Sequence, residues 1–308
     1  MEGELWPALY KLACQEAARK PRRRRVVYSD LIILLVLLWA ALHDRPICWA
    51  CDASNWPADW QWLTLPSPAT LSRRSRTLSL RLLLSALIEA LAAMTAPPES
   101  LCLWRALDSK PLTVGGFSKD RDAKRGYATG AISRGYKLCA AWGPGEPVPQ
   151  AWRVGPLNWA DSAAADDEID QLARGTHAGG YLLADTLHDN GDLHRRCRQA
   201  EFQLVAPRAK PGTGLRHARD SDPSHDPGRL RSIELTEPPP VQGLGGFGRT
   251  LYAQRCQIER RFGNLCSFGG GLAPLPAWVR RPHRVTLWVA AKLVINGVRI
   301  CLIEGLAL

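Results

Sequence analysis

A chain of 308 residues, 46 % of them hydrophobic, is long enough for one large catalytic core with a smaller domain and too apolar to be disordered throughout. Its formal charge of +11 is unevenly spread: residues 249–308 hold 9 basic and 2 acidic residues, whereas residues 106–248 hold 18 of each. Such a field attracts a polyanion, so a nucleic acid is the expected partner. Nine cysteines, odd in number and widely scattered, argue against a disulfide framework and fit a reducing cytoplasm.

The first 98 residues read as mostly helical. Leu5, Leu9, Leu12 and Cys14 lie on one face of a first helix, which gives way to a basic turn at Arg19–Arg25. Tyr28-Ser29-Asp30 opens the next helix, with Ser29 or Asp30 as its cap. The apolar run Leu31–Leu42 is twelve residues long, where a membrane span needs about twenty. Arg22–Arg25 upstream imitate a signal peptide, but Leu5–Ala18 precede them and no small-x-small site follows Leu42. A buried helix is expected there, and no membrane. Cys48-Trp-Ala-Cys51 is a single CxxC pair and, even with His43, falls short of the four ligands of a closed zinc site. Pro66–Arg76 starts a helix exposing Arg73, Arg74 and Arg76, which suit either phosphate contact or a solvated face. Leu80–Ala93 is another helix, ended by Pro97-Pro98.

After Pro98 the period changes. Leu101–Leu107 reads as a buried strand, Gly135–Trp142 as a second, and Pro149–Val154 as a third, returning antiparallel after Gly143-Pro144-Gly145. Asp161–Ala173 reads as a helix, Tyr181–Ala184 as a short strand, Asn190–Glu201 as a helix and Phe202–Ala206 as a strand. Residues 208–248 read as a loop-rich insertion with one strand at Arg231–Leu235. Leu251–Phe262 and Val285–Ile303 are helical, with Gly297 a weak point in the second. The result is a mixed α/β core, residues 99–308, behind a helical region, residues 1–98.

Three acids stand at the ends of these segments. Asp108 follows the first strand, Asp185 follows Tyr181–Ala184, and Glu259 lies in the helix Tyr252–Gly263. Carboxylates at strand ends and on a covering helix can share a pocket for Mg2+ or Mn2+, which prefer hard oxygen ligands. Two such ions can activate an attacking hydroxyl and stabilise a leaving oxygen. Arg255 and Glu259, four apart, would share a helix face with Tyr252 one turn earlier. Gly243–Gly248 lacks the context of a nucleotide-binding loop, the histidines show no HExxH, and no serine sits in GxSxG.

Several pieces in order carry a resemblance. They are Leu107-Asp108-Ser109-Lys110-Pro111-Leu112, Gly135-Tyr136-Lys137-Leu138, Asn158-Trp159-Ala160-Asp161, Leu183-Ala184-Asp185, and Tyr252-x-x-Arg255-x-x-x-Glu259-Arg-Arg-Phe262-Gly263. Together they resemble the DDE transposases of bacterial insertion sequences, across about residues 100–300. The resemblance implies an RNase H-like catalytic domain in which Asp108, Asp185 and Glu259 bind two magnesium ions. It implies cleavage of a phosphodiester at a transposon end and attack of the freed 3′-hydroxyl on target DNA. Tyr252, Arg255, Lys137 and Arg260 would then contact DNA together with Arg73, Arg74 and Arg76. Residues 1–98 would bind ends and dimerise, the protein would act as a homodimer in the bacterial cytoplasm near the nucleoid, and no organic cofactor would be needed. Two places depart from the family pattern. Cys266 stands where a lysine commonly follows the glutamate by seven residues, and Thr186-Leu187-His188-Asp189 replaces the usual glycine-tyrosine after the second aspartate. The alternatives are a transposase-derived DNA-binding protein with impaired catalysis and a metal-dependent nuclease that does not join strands.

Overall fold

The computed structural model describes residues 2–20, 26–95, 103–175, 179–208, 226–237, 245–267, 272 and 274–306. The helices α1 (Glu2–Ala18), α2 (Asp30–Leu42), α3 (Ile47–Ala50), α4 (Pro68–Arg74) and α5 (Leu78–Thr95) come first. Ser29 Oγ accepts the Ile32 N–H at 3.3 Å and so satisfies an amide that α2 leaves free. Nine consecutive residues of α2, Ile33–Ala41, are buried, as an all-apolar helix requires. The tryptophans explain themselves here. Trp39 stacks on Trp56 at 4.9 Å, Trp6 meets both edge-on, and the Trp39 and Trp56 indoles donate to the carbonyls of Asn55 and Ala50.

The rest of the chain builds β1 (Trp104–Thr113), β2 (Lys124–Ala128), β3 (Ala131–Trp142), β4 (Ala151–Pro156), α6 (Asp161–Ala173), β5 (Gly180–Leu183), α7 (Gly191–Gln199) and β6 (Phe202–Val205). α8 (Pro227–Thr236), α9 (Gly245–Ala253), α10 (Cys256–Ser267) and α11 (Pro282–Ile303) follow. The sheet order is β2-β3-β1-β5-β6, with β2 and β4 end to end along the outer edge of β3. β1, β5 and β6 are mutually parallel, and β3 runs antiparallel to its neighbours. This mixed sheet with helices on both faces is RNase H-like, preceded by the helical region. One core, containing Leu107, Ala141, Ile169, Leu193 and Leu204, lies under α6 and α7. The other unites Leu112, Leu138 and Ala140 with α10, α11 and the helices of residues 2–95. α11 is long and apolar enough to cross a membrane, and most of it is buried inside the protein.

Several expectations are corrected. β1 does not end before Asp108; it runs on to Thr113, because Asp108–Thr113 pair with Ala140–Gly135 of β3. Leu101 and Cys102 lie outside the described residues. Gly135 allows that pairing: a Cβ there would sit 2.2 Å from the Leu112 carbonyl oxygen. β2 was not expected. It joins β3 through a two-residue turn, Thr129 (φ 48°) and Gly130 (φ 86°), whose twist suits a hairpin. Arg231–Leu235 is not a strand but part of α8, which Pro227 opens and Asp226 caps through the Gly228 N–H at 2.8 Å. Residues 208–248 are therefore not all loop, although 209–225 and 238–244 lie outside the described residues, as does most of the basic turn, residues 21–25. Leu251–Phe262 is not one helix: α9 ends at Ala253 and α10 starts at Cys256. Gly297 does not weaken α11. A Cβ there would approach Val148 Cγ1 to 2.7 Å and Leu91 Cδ1 to 2.9 Å, so the glycine permits close packing.

Candidate active site

The register of two parallel strands creates the centre. Trp104, Arg105 and Ala106 of β1 stand opposite Tyr181, Leu182 and Leu183 of β5. Two residues beyond the last of these pairs, Asp108 and Asp185 stand at the same offset. Side chains alternate faces along a strand. Ala106 and Leu183 belong to the core under α10 and α11, so Asp108 and Asp185 emerge on that same face.

Burial pushes the Asp108 carboxyl above the ordinary range; the Ser109 N–H and Arg255 oppose this, and the Asp185 charge adds to it. Asp185 is also desolvated, yet lies below the ordinary range because His188 and the Leu187 N–H hold its charged form. His188 Nδ1 is 2.7 Å from Asp185 Oδ1, and the Leu187 N–H donates to the same oxygen at 3.0 Å. The two neighbouring carboxyls thus differ in proton affinity, with Asp108 the more basic.

Arg255 occupies the turn between α9 and α10. Its Nη2 is 3.2 Å from Asp108 Oδ2 and its Nη1 is 3.4 Å from Glu259 Oε1. Glu259 sits in the first turn of α10 with its side chain 66 % exposed, linked to Asp108 through that guanidinium. Tyr252, on α9, donates its hydroxyl to the Ala184 carbonyl at 3.2 Å, one residue before Asp185. The helix break leaves the expected neighbours together, but through a turn rather than a shared helix face.

Behind the aspartates lies a polar cluster whose roles the sequence did not reveal. Asp161, at the start of α6, accepts Ser109 Oγ at 2.5 Å and Lys137 Nζ at 2.9 Å. Lys137 is only 8 % exposed, so it is committed to Asp161 and does not present a free cation to a phosphate. Glu168, two helix turns further on, is buried, and its Oε1 has no partner among the described residues. Desolvation, with the charges of Asp161 and Asp108, pushes its carboxyl well up. His188 carried one signal in the sequence, its i+3 spacing from Asp185.

The other cations fare differently. Arg74 binds Asp30 at 2.6 Å and the Tyr28 carbonyl at 2.7 Å, a structural tie between α4 and α2 rather than a phosphate contact. Arg73 is exposed on α4, Arg76 is exposed in the turn after it, and Arg260 is exposed on α10. Cys266 is half-buried on α10 against the main core.

A sequence model of the family described as "Transposase DDE domain" matches residues 104–291. That is more than half of the chain, and the protein belongs to the DDE transposase family. Comparison with curated proteins and with solved structures gave no match. The family brings a transposase-type enzyme function, DNA as partner and a general use of divalent metal ions. Among the described residues no three His, Cys, Asp or Glu side chains lie close enough together to hold a metal ion. The chemistry of the donors nevertheless fits one. Asp108 and Asp185 are hard oxygen donors side by side, and the rise of the Asp108 carboxyl is the desolvation and repulsion that a cation would relieve.

Proposed function

We propose that this chain is a DNA transposase that hydrolyses a phosphodiester at the ends of its element and transfers the freed strand to target DNA. Asp108 and Asp185 would hold the divalent cation, Mg2+ or Mn2+, and Glu259 would join them as third carboxylate once Arg255 leaves its place between Glu259 and Asp108. When bound, the metal supplies Lewis acidity and a nucleophile at neutral pH. The observation that carries the reading is the shared register of β1 and β5, which sets two carboxylates level on one sheet face.

The protein's own residues do the rest. His188 and the Leu187 amide fix Asp185 in its charged form. The Ser109 amide donates to Asp108 Oδ1 at 2.8 Å and orients it, while Asp161 holds the Ser109 hydroxyl from behind. Arg255 compensates the negative charge of Asp108 and Glu259 and can turn to a scissile-strand phosphate, for which its planar fork is suited. Tyr252, anchored beside Asp185, walls the site and borders end DNA. Arg260, Arg73 and Arg76 offer exposed cations to the duplex. The protein acts as a homodimer holding two ends, in the bacterial cytoplasm at the nucleoid, with residues 1–98 contributing end binding and dimerisation.

Product analysis tests this reading. Purified protein is incubated with labelled duplexes carrying the element's own ends, in Mg2+ or Mn2+. Cleaved ends that reappear joined to target DNA are expected. Cleavage without joining would make the protein a nuclease, and end binding without either product would make it a transposase-derived DNA-binding protein.

A further inference from the structure

The β2–β3 hairpin extends beyond its neighbours. The β1–β3 register ends at Thr113 and Gly135, the Val114 N–H still reaches the Arg134 carbonyl at 2.9 Å, and residues Ala131–Ser133 pair with β2 alone. On this projecting ribbon Arg125 stands directly opposite Arg134, and Tyr127 directly opposite Ile132. All four are exposed; Tyr127 and Ile132 are 70 % and 72 % accessible. Like charges opposite each other destabilise a ribbon; Arg134 has a structural role in tying the Asp120 and Ala123 carbonyls to β3, whereas Arg125 makes no such tie among the described residues. Arg134 rests on backbone carbonyls, reaching the Asp120 oxygen at 2.5 Å, and Arg125 has no acid partner among the described residues. The nearby acids are spent: Asp122 pairs with Arg281 at 3.1 Å, and Asp120 accepts from the Tyr136 hydroxyl and the Arg281 amide. Lys119, Arg121 and Lys124 add three more exposed cations.

The face on which these side chains lie is decisive. Alternation along β3 puts Ile132 and Arg134 on the same side as Tyr136, Leu138 and Ala140, and Ala140 is the partner of Asp108. Arg125 and Tyr127 follow from their pairing. The sheet face that carries the two aspartates is covered by α10 and α11 in its middle and re-emerges at the hairpin as a basic, aromatic surface. Six residues separate Arg134 from Ala140, about 20 Å along the strand, or roughly six base-pair steps of duplex. On the opposite face the backbone of Leu157 packs on the ribbon at Gly126, where a Cβ would sit 2.6 Å from the Leu157 carbonyl oxygen.

Resting on the transposase reading, we propose that the outer face of the β2–β3 hairpin is a duplex-DNA contact surface: Arg125 and Arg134 meet backbone phosphates, and Tyr127 and Ile132 lie against the groove wall. A two-stranded ribbon is of a size to enter the major groove. A second copy of this chain is the poorer occupant, since a symmetric contact would bring two arginine pairs together.

The test is binding of a fluorescent duplex of the element's own end to the full chain across a salt series. Arg125→Ala should make the slope of log K against log salt shallower by about one, and Arg125→Lys should keep it. Tyr127→Ala should weaken binding with the slope unchanged. Removing Arg125 relieves a repulsion, so the fold survives, which circular dichroism checks. If the unaltered protein binds with a steep salt slope and both alanine variants match it, the hairpin is not a DNA surface and the transposase reading stands. If either variant dissociates a dimer while DNA binding is unchanged, the face belongs to a second copy. If the unaltered protein binds no duplex at any salt, the transposase reading fails and the hairpin proposal with it.

Discussion

Arg255 stands between two acids of the candidate centre, its Nη2 3.2 Å from Asp108 Oδ2 and its Nη1 3.4 Å from Glu259 Oε1. A guanidinium there competes with any divalent cation for the same oxygens. A partly exposed pair of this kind contributes roughly 1 kcal/mol, about a fivefold effect on a competing equilibrium. Arg255→Ala is therefore expected to bind Mn2+ about fivefold more tightly while cleaving DNA less well. Titration with Mn2+ followed by its paramagnetic signal checks this. Weaker Mn2+ binding by the variant would show that Arg255 organises the carboxylates rather than competing for them.

Glu168 makes stability depend on pH. Its folded carboxyl binds a proton more tightly than in the unfolded chain, where the ordinary value is 4.5. The folded state then holds more protons than the unfolded state above that value, so stability is full below it and falls as pH rises through the folded pKa. Glu168→Gln removes the titration. Its melting temperature should exceed that of the unaltered protein increasingly from about pH 5 upward, with no growing gap below. Parallel melting curves across pH would contradict the assignment.

Lys292 ties the last helix to the first ones. It is fully buried on α11, reaches Asp44 after α2 at 2.5 Å and lies over the Trp288 ring at 5.2 Å. Breaking a buried pair is costly, and Asp44 is partly exposed, so Lys292→Ala should destabilise by about 3 kcal/mol, the lower end of the range. Lys292→Met, which keeps volume, should lose less. Denaturant midpoints measure both, and an unchanged midpoint for Lys292→Ala would refute the structural role.

Cys266 lies seven residues beyond Glu259, two turns along α10, at the border of its core-facing side. It is half-buried, and a lysine there can keep its stem on the core and its charge in water. Cys266→Lys is expected to raise end cleavage a few-fold by adding a cation near the site. An unchanged rate would show that Arg260 or Arg261 already supplies it.

Much of this architecture was legible in the sequence because local signals agreed. Ser29 before Leu31–Leu42 marked a capped, buried helix, and short apolar runs marked β1, β3, β5 and β6. The strand limits were not legible. Asp108 to Thr113 are polar apart from Pro111 and Leu112 and hold strand conformation through pairing with β3. α8 reads like a strand at Ile233-Glu234-Leu235, but the Asp226-Pro227 start overrides that short pattern. Of the candidate site, the acids could be named from their context, but not the partners of Lys137 and Arg74. Those ion pairs, with Asp161 and Asp30, join residues 24 and 44 positions apart. Only folding shows that these cations are already committed.

The most direct measurement is end cleavage in Mn2+ by the unaltered protein and by Asp185→Asn, with DNA binding followed in the same samples. The asparagine keeps the size of the side chain and its hydrogen-bonding oxygen but removes the charge that His188 and Asp108 face. Cleavage is expected to fall by at least two orders of magnitude with end binding retained. Cleavage at the unaltered rate by Asp185→Asn would contradict the assignment of this carboxylate pair as the catalytic centre.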